Sequence, residues 1–309
     1  MSLISVIIPA KNAEETLGAT LDSVADQAGV DVETIVVDDG STDRTREIAS
    51  SHAVAPRIVS GSGTGAAAAR NAGLAASTGR AIVFLDADDL LKPGALQRRL
   101  LALEEAGPNT IVVTDHVEFV EGRERPSRTR PDFGGDPREA LLQRNRLTVH
   151  AALVPRELLD LVPGPFIESL VVYEDWALWL HLALLGVQFR VLDIPDCVYR
   201  IRSAGMATDM TTDLPRAQGD AIRVLELAKD WIRQTPRCDW GRLDLIRRRR
   251  LREYLWSRAR VNARRGKLIR ASVDALRVPL VGPGDLPRAL WRRGRRRLRA
   301  VATRPRARS

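Results

Sequence analysis

The chain has 309 residues, 44% hydrophobic and 28% charged, with a formal net charge of +9. That length suffices for a large α/β domain with an appendage, and no apolar run approaches the roughly 20 residues that span a bilayer. Cys197 and Cys238 stand far apart with no second pair, which argues against a disulfide framework or a cysteine-built zinc site and for a reducing, cytoplasmic setting.

The charge is unevenly spread. Of 48 Lys+Arg and 39 Asp+Glu, residues 241–309 carry 23 and 4, leaving 25 and 35 for residues 1–240. An acidic body with a cationic C-terminal region fits attraction to an anionic surface, either lipid headgroups or nucleic acid. Met1 leads directly toward a strand pattern with no basic segment ahead of it, so no signal peptide is expected.

Strand and helix patterns then alternate. Ser5 to Ile8 is a β-branched run closed by Pro9. Helical spacing follows from Glu14 to Ala28, ended by Gly29. A second strand, Glu33 to Val37, runs into Asp38-Asp39-Gly40-Ser41, and Ser41 or Asp43 is a candidate cap for a helix over Arg44 to Ser51. Arg57 to Ser60 reads as a strand, Ala66 to Ala76 as a helix and Ala81 to Leu85 as a strongly apolar strand. A helix from Pro93 to Ala106 and a strand from Thr110 to Thr114 come next. Residues 121–138 read as a mobile loop. Leu147 to Val154 is strand-like, Tyr173 to Leu185 an apolar helix, Gln188 to Leu192 a strand, and 214–270 helical throughout. Over the first ninety residues the alternation predicts a parallel sheet covered by helices on both faces, with ligands at the carboxyl ends of its strands. Asp38, Asp39, Asp86, Asp88 and Asp89 all fall at such ends.

Carboxylates gathered there are costly unless a cation or hydrogen-bond donors sit among them. A divalent metal bridging a diphosphate meets that need, because hard cations such as Mg²⁺ take carboxylate and phosphate oxygens together. Helix capping by Asp88 or Asp89 is the competing reading of Asp86-Ala87-Asp88-Asp89, and an N-cap role is the competing reading of Asp175.

Four segments occur in order: Ser5-Val6-Ile7-Ile8-Pro9-Ala10-Lys11-Asn12, Val36-Val37-Asp38-Asp39-Gly40-Ser41-Thr42-Asp43, Ala69-Arg70-Asn71-Ala72-Gly73 and Phe84-Leu85-Asp86-Ala87-Asp88-Asp89. This series resembles the inverting family 2 glycosyltransferases of bacterial type. The likeness runs over residues 3–100, resumes at Tyr173-Glu174-Asp175-Trp176-Ala177-Leu178-Trp179 and fades after about Met206.

The resemblance implies an α/β GT-A fold, a Rossmann-like mixed sheet flanked by helices, with a mostly helical C-terminal extension. It implies a hexosyltransferase moving a sugar from a UDP- or dTDP-linked donor to a hydroxyl of a glycan or lipid-linked acceptor of the cell envelope, with Mg²⁺ or Mn²⁺ as cofactor. By the same likeness Pro9, Ala10, Lys11 and Asn12 line the nucleotide pocket. Asp39, flanked by Asp38 and Gly40, holds base and ribose, and Arg70 approaches the base or diphosphate. Asp86 and Asp88 handle ribose and metal, Asp88 being the more direct ligand. Asp175 is the general base, supported by Glu174. Where many relatives read Y-R-x-H, this chain has Tyr199-Arg200-Ile201-Arg202; Arg202 can pair with a diphosphate but cannot ligate metal.

Among the histidines, His181 reads as a packed core residue, His52 and His116 as solvated, and His150 as a candidate for substrate contact. Residues 1–210 read as the catalytic domain, with a donor half over 1–115 and an acceptor half over 116–210. A helical extension covers 211–280 and an arginine-rich tail 281–309, the tail being a candidate for peripheral attachment to the inner face of the cell membrane.

Two other readings compete. Gly61-Ser62-Gly63-Thr64-Gly65-Ala66 fits the dinucleotide fingerprint, with Asp86 twenty residues beyond, which implies an NAD-linked oxidoreductase. The fingerprint belongs on the first strand of such a domain, however, and here two strands precede it. The basic tail permits a non-catalytic nucleic-acid or membrane-surface binder, although aromatic interleaving is sparse and no named nucleic-acid module appears.

Overall fold

The computed structural model describes residues 3–120, 122–127, 130–201, 214–235 and 239–280. Arg202, Cys238 and the tail 281–309 lie outside them.

The β-branched run at the start forms β1 (Ile4–Ala10), parallel to β2 (Val32–Asp38) on one side and β4 (Ala81–Phe84) on the other, while β3 (Arg57–Ser60) extends β2 at the edge. Side chains alternate across a strand. Val6 and Ile8 therefore enter a core shared with α1 (Leu17–Ala25), α2 (Thr45–Ser51) and α4 (Ala95–Ala106). Ile7, with Ile35 and Val37, enters the core on the opposite face, under α3 (Ala66–Ala76). Helices on both faces are as expected.

Strands β1 to β4 are parallel, as the alternation predicts, and beyond them the sheet becomes mixed, as the resemblance implies. Beyond β4 lie β8 (Ala152–Pro155), antiparallel to it, then β6 (Thr110–Val120), antiparallel to β8, and β9 (Gln188–Arg200), parallel to β6. A two-residue β5 (Leu90–Leu91) closes the order β3-β2-β1-β4-β8-β6-β9-β5, and β7 (Arg123–Pro126) pairs with β6 in the segment read as a loop. Strand β9 continues eight residues past the expected Leu192 because register shifts between Thr114 and His116 leave Asp193, Ile194 and Asp196 unpaired with β6.

The second core holds Trp176 and Trp179, both fully buried, on α7 (Glu174–Leu184). The Trp176 indole N–H donates to Leu141 O at 2.7 Å, fastening α7 to α5 (Pro137–Gln143). Arg156–Leu159 forms a short α6. Behind α7 pack α8 (Leu214–Gln234) and α9 (Trp240–Arg264), followed by α10 (Leu268–Leu280). His181 is half-buried and stacks on Trp231 with ring centroids 4.3 Å apart, and burial pulls its pKa down to about 4, so it is packed at the edge of this core. Among the described residues no helix is long and apolar enough to cross a membrane.

Candidate active site

The carboxyl ends of β1, β2 and β4 open into a cleft of about 520 Å³, closed on the far side by the start of α7 and the end of β9. Each acid cluster there has a local cause. At the end of β2 the chain splits two adjacent aspartates. Asp38 accepts from the Ser41 amide at 3.0 Å and lies 3.4 Å from the Arg46 guanidinium, whereas Asp39 faces the cleft. Burial would raise the Asp38 pKa, but the Ser41 and Arg46 contacts outweigh it and hold it low. Asp38 and Gly40 thus shape the turn beside Asp39 and are not among the residues lining the cleft.

The glycine-rich loop has a different task from a dinucleotide fingerprint. Its Gly63 and Gly65 amides donate to the two Asp39 carboxylate oxygens at 2.8 and 2.9 Å. A Cβ on Gly61 would stand 2.6 Å from Asp39 Oδ1, so only glycine lets the loop close around that carboxylate. Amides that would cradle a pyrophosphate instead fix Asp39. Pro9, Ala10, Lys11 and Asn12 line the cleft beside it, and the Asn12 side-chain oxygen accepts from the Thr42 amide at 2.9 Å, tying the ends of β1 and β2 together.

The capping reading of Asp86-Ala87-Asp88-Asp89 fails. Helix α4 begins only at Ala95, with Gly94 at its N-cap and β5 in between. Asp86 and Asp88 line the cleft, while Asp89 turns inward, fully buried, and its Oδ2 lies 2.8 Å from His150 Nδ1. Burial alone would lower the His150 pKa, but Asp89 holds it well above the ordinary value. His116, expected to be solvated, is buried beside His150 and Tyr199, and burial followed by repulsion from His150 pulls its pKa down to about 4. His52, also read as solvated, is half-buried against Asp22.

Arg70 bridges the two sides of the cleft. It is fully buried on α3, donating 2.6 Å hydrogen bonds through Nη2 to Asp86 Oδ1 and through Nη1 to Glu174 Oε1. Its fork therefore positions carboxylates while the residue lines the cleft. The adjacent Asn71 exchanges hydrogen bonds with the Phe166 backbone at 2.8 and 3.1 Å, fixing the segment before α7.

That segment turns through Tyr173, held at φ +67°, a conformation unusual for a non-glycine residue. The turn takes the N-cap position of α7, leaving Asp175 one residue inside the helix and facing the cleft. Asp175 Oδ2 accepts from Asn145 Nδ2 at 2.9 Å and Oδ1 from the Trp176 amide at 2.6 Å. Desolvation, then the neighbouring Glu174 charge, push its pKa up to about 7 despite those donors. A partly buried carboxylate of that pKa is suited to accept a proton near neutral pH.

Thus Pro9 to Asn12, Asp39, Arg70, Asp86, Asp88, Glu174 and Asp175 converge on one cleft. Asn145, Thr148, Tyr199 and Arg200 also line it and were not singled out from the sequence. Arg200 had a signal, lying in the stretch that carries Arg202. Asn145 had none, since its role depends on a pairing across thirty residues of sequence.

The glycosyl transferase family 2 model matches residues 5–161. The chain is 28% identical over 222 residues, 70% of its own length and 84% of the relative's, to the UDP-Glc:alpha-D-GlcNAc-diphosphoundecaprenol beta-1,3-glucosyltransferase WfaP of Escherichia coli. Among solved structures, S. aureus TarS 1-349 in complex with UDP-GlcNAc superposes with TM-score 0.67 at 20% identity, covering 90% of this chain and 81% of that one. The mannosyltransferase PcManGT from Pyrobaculum calidifontis, in complex with GDP-Man and Mn²⁺, superposes with TM-score 0.56 at 20% identity, covering 96% and 79%. Neither an NAD-linked oxidoreductase nor a non-catalytic binder fits these likenesses. The chain has the GT-A fold and belongs to glycosyl transferase family 2, the enzymes that carry a sugar from a nucleotide-sugar donor to an acceptor.

Proposed function

We propose that this enzyme is an inverting, metal-dependent hexosyltransferase in which Asp175 takes the proton from an acceptor hydroxyl while the sugar leaves a nucleoside diphosphate held against the ends of β1, β2 and β4. One observation carries the reading: the Asp175 carboxylate lines the same cleft as Asp39, Asp86 and Asp88, with its pKa pushed up to about 7. A single displacement needs one base and no enzyme nucleophile, and it inverts the anomeric centre. Asn145 orients the carboxylate, and Glu174, fixed by Arg70, keeps a negative charge beside it.

On the donor side, Asp39 and the Pro9 to Asn12 segment would hold the nucleoside, a uridine or thymidine diphosphate. The donor set suits Mg²⁺ or Mn²⁺, because Asp86 and Asp88 offer hard carboxylate oxygens into the cleft. Asp86, Asp89 and His150 also bring ligand atoms within 4.8 Å of one another. His150 Nδ1, however, is turned to the buried Asp89, 2.8 Å from its Oδ2. Asp86 and Asp88 are therefore the assigned ligands. A bound divalent cation supplies Lewis acidity to the departing diphosphate. Lys11 and Arg200 add positive charge to the cleft, the part the sequence reading gave to Arg202.

The WfaP likeness supports a glucosyl donor and a lipid-linked acceptor. In this reading residues 1–115 bind donor and 116–210 acceptor, with α8 bracing α7 from behind. Nucleotide sugars tested by thermal shift with and without Mn²⁺ check the proposal. A UDP- or dTDP-sugar is expected to raise the midpoint, more so with metal. Asp175→Asn is expected to lower transfer by about 10²–10⁴-fold while keeping that donor shift. No stabilisation by any donor, or transfer retained in Asp175→Asn, would overturn it.

A further inference from the structure

Helix α10 is built inside out. Its acid is enclosed: Asp274 is 3% exposed and accepts from Arg258 and Asn262 of α9. Three of its large aliphatic residues face solvent, with Ile269 83%, Leu276 71% and Val273 51% exposed. At roughly 100° per residue, Ile269, Val273 and Leu276 form one stripe opposite the buried Ala271, Asp274 and Val278. Arg270 and Arg277 fall together on one flank of that stripe. Arg277 pairs with Glu226 of α8, which together with the Asp274 contacts fixes the helix with its apolar side outward.

We propose that this outward face of α10 is a docking surface for an anionic lipid bilayer. An apolar stripe flanked by cations is what lies flat in the headgroup boundary, and the surrounding charge complements acidic lipid. From Tyr254 to Val273 the sequence contains no acidic residue, and Arg260, Arg264, Lys267 and Arg270 are all exposed. The chain following α10, residues 281–309, adds ten arginines against one aspartate. The same charge opposes a second copy as occupant, since pairing two such faces would bring two strongly basic regions together. The proposal is independent of donor or base chemistry.

Full-length protein is sedimented with phosphatidylcholine vesicles with and without phosphatidylglycerol. The wild type is expected to partition onto the anionic vesicles, and Ile269→Ser/Val273→Ser/Leu276→Ser to partition at least about tenfold less, with an unchanged unfolding midpoint. Leu101→Ser, an exposed leucine on α4, is expected to bind as wild type. Should the triple variant lose stability, Ile269→Ser alone carries the test, with an expected loss of about threefold. Triple-variant binding equal to wild type would assign all attachment to charge and overturn the proposal. So would a wild-type dimer that the triple substitution dissociates while vesicle binding stays the same.

Discussion

Arg99 and Arg70 are both sealed from solvent and both face carboxylates, yet the regions around α4 and α3 treat them differently. Arg99 gives a two-pronged contact to Asp196, itself fully buried, and a third hydrogen bond to His150 O at 2.7 Å, while Thr114 caps the same Asp196 at 2.6 Å. Every partner is enclosed, and the cluster locks α4 to β9. Arg70 divides its fork between Asp86, whose side chain is 31% exposed, and Glu174, 104 residues away. The first arrangement is architecture. The second joins the two walls of a cleft and leaves one carboxylate partly open to a ligand. Burial and charge pairing alone therefore do not mark a site; an unclosed edge does.

The largest effect on folding is expected at the closed cluster. Arg99→Met strands Asp196 without a cation, and such a loss costs about 3–5 kcal/mol, measurable by urea unfolding. Arg70→Met is expected to cost less, about 1–3 kcal/mol, because water can reach Asp86. Its transfer rate should fall on the order of 100-fold, the scale of a base displaced from its working geometry. If Arg70→Met were the more destabilising and left transfer intact, the contrast between the two regions would collapse.

Gly73 sharpens it further. A Cβ there would stand 2.3 Å from Ile7 Cγ2 and 3.0 Å from Val37 Cγ2, so glycine lets the helix bearing Arg70 lie close on the sheet. Gly73→Ala is expected to cost about 1–2 kcal/mol by overpacking and to lower transfer by moving Arg70. A fully active, equally stable variant would show that the helix position is not critical.

The smallest effect is a gain. Because the folded Asp175 pKa lies above its ordinary 3.8, at about 7, ionising it opposes folding as pH rises through that window. Asp175→Asn is therefore expected to be more stable than wild type above pH 7, by about 1 kcal/mol after allowing for its partial exposure. Thermal midpoints should converge below about pH 4. A destabilised variant at pH 8 would mean the carboxylate is not held under strain.

The donor side of the cleft was legible because its signals are local. Strand β3 and helix α3 fall on the expected Arg57 to Ser60 and Ala66 to Ala76, and the acids at the ends of β2 and β4 follow directly from apolar runs. The direction of β8 was not legible, since nothing in Ala152–Pro155 records whether its neighbours run with or against it. Helix α5 was missed although Asp136 caps it and Pro137 opens it, because the surrounding Arg, Pro and Gly read as loop. The Asp39 loop resembled a cofactor fingerprint because glycine serves any close backbone approach, to a carboxylate as to a pyrophosphate. Asn145 and the Arg70 bridge depend on long-range pairing that no periodicity carries.

The assignment of Asp175 as the base is tested most directly by the pH dependence of kcat/KM for transfer. The account predicts a rate that climbs with pH through about 7 as Asp175 ionises, with that limb absent from whatever residual rate Asp175→Asn retains. A profile flat from about pH 5.5 to 8.5, or the same limb persisting in Asp175→Asn, would contradict it.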